Sequence, residues 1–158
     1  MKDYDKDRSN WQGRLIRYAP LILWTGVVLF LSTSQASMAE TSRFIRPLIE
    51  FFFPSASPET FLLVHAFIRK TAHFVEYAVL ALFAARAFSN SSINILRKYW
   101  ALFSCAIVVL IALIDESNQS LGASRTGSVW DVLLDISGGI SAILIFYVIR
   151  RRICKSQS

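Results

Sequence analysis

Four long apolar stretches, Pro20 to Ser34, Ile68 to Phe88, Trp100 to Ile114 and Val129 to Ile149, constrain this chain more than any other feature. A backbone surrounded by lipid must satisfy its own N–H and C=O groups, and a single stretch can do so only as an α-helix. The stretches run 15 to 21 residues, against about 20 needed to cross a hydrocarbon core of about 30 Å at 1.5 Å per residue. The third is short, so its polar end, Asp115 to Gln119, is expected to continue the helix to the interface. A chain 54% hydrophobic lies above the soluble range, which agrees with a membrane class. The prediction is an all-α polytopic membrane protein, a bundle of four transmembrane helices over 19–150 between basic tails at 1–18 and 151–158.

The first stretch has a competing reading. A basic leader, an apolar core at Leu21–Leu31 and the small residues Ser37 and Ala39 resemble a cleavable signal peptide. Three further apolar runs favour a retained helix. Between the first two stretches, 41–54 carries Arg43 and Arg46 among Phe44, Ile45, Leu48, Ile49 and Phe51 to Phe53. That composition suits a short helix lying in the interface with its aromatics dipping inward. A plain loop with an apolar anchor is the alternative.

The net charge of +6 raises nucleic acid as a partner, but the basic residues flank apolar runs and form no nucleic-acid motif, so none is expected. Twelve Lys and Arg fall on the side that holds both termini and the second connection, and five on the other. Positive residues stay inside, which predicts a multi-pass protein of the cytoplasmic membrane with both termini cytoplasmic. Cys105 sits in an apolar run and Cys154 in a basic tail, so neither has metal-ligand spacing or an evident disulfide partner.

In the second stretch Lys70, His73, Glu76 and Tyr77 are spaced three, three and one apart, which places them on one helical face. They cannot all be moved into water, because Phe74 to Ala87 alone gives only about 21 Å of helix. Ionisable groups at such depth are costly unless they pair or face a hydrated cavity. At the end of the third stretch Asp115, Glu116 and Gln119 again share an edge, and the connection that follows supplies Arg125 between Gly122 and Gly127. Asp131 and Asp135 stand one turn apart at the entry to the fourth stretch, ahead of Gly138 and Gly139, which favour close helix approach. The alternating topology brings these groups, with Ser32, Ser34 and Gln35, to one face of the membrane. Lys70, His73, Glu76, Tyr77, Asp115, Glu116, Gln119, Arg125, Asp131 and Asp135 are therefore the expected ligand-binding set.

The same residues carry a resemblance. Lys70-x-x-His73-x-x-Glu76-Tyr77-x-x-Leu80 and Asp115-Glu116-x-x-Gln119-x5-Arg125-x5-Asp131-x3-Asp135-x2-Gly138 resemble the two signature blocks of the VanZ-like family, and Ser32 to Gln35 a weaker third. The long second block, with fixed gaps, is the more specific. Where the family often has Pro-Gly before the arginine, this chain has Ala123-Ser124. The resemblance implies an integral membrane protein of the cell envelope whose founding relative is associated with low-level resistance to the glycopeptide teicoplanin. Expected partners are then membrane lipids and a lipid-linked envelope precursor or a glycopeptide.

Three roles fit the polar set. Lys70 and Arg125 can neutralise Glu76, Asp115, Glu116 and Asp131 in a purely structural network. His73, Glu76, Asp115, Glu116 and Asp131 are the candidates for acid–base work in a membrane hydrolase or transferase, with a cation holding an anionic lipid-linked substrate. The third role is recognition of a lipid head group or envelope precursor without reaction. No cofactor and no metal is assigned, since the stripe holds a single histidine beside cationic neighbours. His65 falls outside the stripe's spacing and reads as interfacial.

Overall fold

A computed structural model describes residues 2–32, 46–47, 49–52, 54, 57–120 and 128–156. Five helices are defined among them: α1 Lys2–Leu31, α2 Pro58–Ser89, α3 Asn94–Lys98, α4 Trp100–Ser120 and α5 Val129–Ser156. All except the short α3 are long and apolar enough to cross a membrane. The four run alternately up and down. Residues 46–47 and 49–52 are helical as well, and Arg46 pairs with Glu50 at 2.8 Å within that short piece.

Two helices extend well beyond their apolar stretches. α2 starts at Pro58, ten residues before Ile68, because Ser57 in extended conformation accepts the Thr60 N–H at 3.2 Å and Pro58 at the first position gives up no hydrogen bond. α1 continues back to Lys2 through a polar segment. Hydropathy marks where lipid covers a helix, whereas its ends are set by caps and by water. The third span behaves as expected, carrying Asp115 to Gln119 inside α4.

α2 is the hub, packed most extensively on α5 and also on α4 and α1. Its C-terminal half packs Ala81, Ala84 and Ala87, none with exposed surface, in one cluster with Leu21, Val28, Val108, Ala142 and Ile143, and Ala85 is equally enclosed. Small side chains let helices approach where lipid offers no hydrophobic drive for association. Around the outside, large apolar residues such as Leu63, Phe67, Leu102, Leu144 and Ile145 remain exposed, as a lipid-facing belt requires. One end of the bundle is tied by Tyr18 to Ser91 at 2.7 Å and by Trp100 edge-on to Phe146 and stacked on Tyr147. At the opposite end Ser32 donates to the Asp115 carbonyl at 3.2 Å, and Trp24, further along α1, donates to the Glu76 carbonyl at 3.0 Å. α1 is thereby bound into the bundle along its apolar length.

Candidate functional site: a buried carboxylate and histidine cluster

The α2–α5 crossing decides which side chains meet. A Cβ on Gly138 would run into the backbone carbonyl oxygen of Phe74, and one on Gly139 would come within 2.6 Å of Val108 Cγ1. Bare glycines therefore let α5 lie directly on α2 and α4. Asp135, one turn before Gly138, is brought beside His73, the neighbour of Phe74.

Asp115 is the centre. Its side chain is 3% exposed, and its two oxygens are held separately: Tyr77 Oη donates to Oδ2 at 3.1 Å and Gln119 Nε2 donates to Oδ1 at 2.7 Å. Tyr77 has no exposed surface at all. Facing this pair, His73 Nδ1 stands 3.8 Å from Asp115 Oδ2 and 3.7 Å from Asp135 Oδ1. Asp135 is itself 5% exposed in its side chain, and its Oδ1 has no hydrogen-bond partner among the described residues. Glu76 Oε1 is buried and unpartnered in the same sense.

The rim is different. Lys70 Nζ lies 3.8 Å from Asp131 Oδ1, with both side chains largely open at 61% and 42%. Glu116 accepts the backbone N–H of Ser128 at the residue that opens α5, fixing the entry of α5 to the end of α4. Of the expected site residues, His73, Tyr77, Asp115, Gln119 and Asp135 are thus brought together, Glu76 lies half-buried on the same helix as His73, and Lys70, Asp131 and Glu116 stand around them. Arg125 lies outside the described residues, as do Ser34 and Gln35.

Two features escape the sequence reading. Arg69 reads there as a charge of the first connection, yet it lies within α2 and close enough to interact electrostatically with Asp115, Glu116 and Asp131. Its spacing of four before His73 was the available signal. His65, expected at the interface, is fully enclosed and stacked on Phe61 with ring centroids 6.0 Å apart, its two nitrogens unpartnered among the described residues.

Depth follows from α4. If the aromatic cluster at Trp100 marks one interface, Asp115, fifteen residues on, lies about 22 Å further along a helix that must cross about 30 Å of hydrocarbon. On that measure the cluster falls short of the second interface, inside the span.

Four spanning helices with a deep polar cluster at one end define the class, a polytopic membrane protein built around buried ionisable groups. The VanZ/LLP1 family model matches residues 18–150, and the chain belongs to that family. No curated protein and no solved structure matches it.

Proposed function

We propose that the cluster is the binding site for the head of a lipid-linked or other cell-envelope ligand at the outer face of the cytoplasmic membrane. The observation that carries the reading is Asp135: a carboxylate nearly closed off from solvent, with one oxygen unpartnered, aimed at a histidine that also faces Asp115. Leaving such groups buried and incompletely satisfied costs stability, which a scaffold alone does not require. Arg69 and Lys70 at the rim, with Arg125 from the adjoining connection, supply charge for a phosphate or another anionic group, while the carboxylates and His73 below accept its hydroxyl or amine donors. The four-helix domain over 19–150 carries this site, and the tails at 1–18 and 151–158 lie in the cytoplasm. A change in glycopeptide susceptibility is the outcome the family membership suggests.

A second reading is favoured by the same geometry. An imidazole flanked at 3.7 and 3.8 Å by two carboxylates is the arrangement of an acid–base pair, so hydrolysis or transfer on the bound ligand is open to this site.

His73→Gln keeps size and hydrogen bonding but removes the titratable ring. We expect normal abundance and insertion, with loss of the lipid, envelope or drug-susceptibility phenotype that the intact chain confers. Full phenotype in His73→Gln, with loss in Asp131→Asn, would move the activity from the floor of the site to its rim.

Orientation has its own test. With both native cysteines replaced by serine, a cysteine at Ser57 is expected to react with an impermeant thiol reagent added to intact cells. Labelling only after lysis reverses the topology and puts the cluster at the cytoplasmic face.

A further inference from the structure

We infer that His73, Asp115 and Asp135 form a binding site for one divalent first-row metal ion of the Zn2+ or Mn2+ type. One ligand atom from each of the three residues lies within 4.8 Å of the other two. Bonds of about 2.0–2.2 Å to a shared ion place ligand atoms about 3.0–3.5 Å apart, so the 3.7 and 3.8 Å separations from His73 Nδ1 need side-chain shifts of a few tenths of an ångström, and the two carboxylates, within 4.8 Å of each other, need at most about 1 Å more.

The donors suit that ion. One imidazole with two carboxylates is a set for intermediate metals, whereas Mg2+ and Ca2+ favour oxygen alone and Cu+ favours sulfur. Asp115 is prepared as a ligand, because Tyr77 and Gln119 hold its two oxygens from outside as the partners of metal-ligating carboxylates do. Asp135 is the independent observation: its Oδ1 is deeply buried, lacks any hydrogen-bond partner among the described residues and points at His73.

Charge decides between a metal and a proton. Asp115, Asp135 and the half-buried Glu76 bring up to three negative charges together, against one from a protonated imidazole and one from Arg69 on the same helix. Lys70 lies against Asp131 at the open rim, outside the three-residue group. A divalent cation balances Asp115 and Asp135 with His73 neutral, and three protein ligands leave at least one coordination position free. The inference deepens the ligand-binding reading and shares its site, with the free position facing the ligand. Metal binding by the purified chain and the envelope phenotype are separate measurements, so either can fail alone.

Glu59 is the control, an exposed carboxylate on the same helix as His73 that lies in the first turn and outside the three-residue group.

The full chain, purified in detergent and stripped with a chelator, is titrated with MnCl2 by electron paramagnetic resonance and with ZnCl2 by calorimetry. Saturable binding of one ion per chain is expected, with a rise in melting temperature. Asp135→Asn and His73→Gln should each weaken it at least tenfold, and Glu59→Gln, at an exposed carboxylate in the first turn of α2, should leave it unchanged. Absence of saturable binding by the folded wild type overturns the site, as does equal affinity in wild type and His73→Gln. Should Asp135→Asn fail to fold, the wild-type titration and His73→Gln decide the matter between them.

Discussion

From Tyr77 towards its N-terminus α2 meets its neighbours through hydroxyl and imidazole groups set against their carboxylates, whereas from Leu80 onward it meets them through alanine together with Leu80, Phe83 and Phe88. The alanine half gives close, dry contact, with Ala81, Ala84, Ala85 and Ala87 fully enclosed. That is the cheapest way to hold helices together in lipid. The polar half holds the same helices with Asp115, Tyr77, Gln119 and His73, and it leaves Asp135 and Glu76 each with an unpartnered oxygen. One helix carrying both solutions shows that the polar half is not needed for packing as such.

The comparison breaks most visibly at Gly138, where the polar half depends on bare backbone. Gly138→Ala drives a methyl group into the Phe74 carbonyl, which cannot move without shifting α2. We expect a loss of about 3 kcal/mol, at the upper end of overpacking effects, together with separation of Asp135 from His73. Gly26→Ala, which meets nothing within 4 Å, should be neutral. Equal melting temperatures for the two in detergent would show that the crossing is looser than described.

A smaller effect sharpens the contrast within the polar half. Tyr77→Phe removes the hydroxyl that holds Asp115 Oδ2 in a site with no exposed surface. The expected loss is about 2 kcal/mol, the upper range for a charge-assisted bond in a membrane protein. It should also weaken whatever Asp115 binds, because only Gln119 then orients the carboxylate. A stable Tyr77→Phe protein with unaltered phenotype would make the bond incidental.

Much of this was legible from sequence, and the limits have physical causes. Four apolar stretches predicted four spans and the three, three and one spacing predicted the α2 face, because apolar length fixes the one and helical periodicity the other. The extensions of α1 and α2 were not legible from hydropathy, since a helix can continue through water. The division between Asp131 and Asp135 also escaped. One turn apart, they share a face, and only their position relative to the α2–α5 crossing makes one an open partner of Lys70 and the other a buried neighbour of His73. Arg69 was hidden by being counted as a topological charge. The expected interfacial helix can be followed only at 46–47 and 49–52.

The smallest expected effect lies at the other end of the bundle, where Ser91 is 1% exposed and serves two partners. Its hydroxyl pairs with Tyr18 Oη at 2.7 Å and accepts the Ile93 N–H at 3.0 Å, at the entry to α3. Both bonds are neutral, and Tyr18 can turn its hydroxyl towards the nearby interface when the partner is lost. Ser91→Ala should therefore cost about 1 kcal/mol or less, with Tyr18→Phe smaller still because it removes one bond instead of two. Neither change touches His73, Asp115 or Asp135, so ion binding and phenotype should persist in every folded molecule. The check is a pair of measurements on each variant, a melting curve and a Mn2+ titration. If Ser91→Ala lowers ion affinity while the protein stays folded, the two ends are coupled along α2, and the separation between a packing half and a working half is lost.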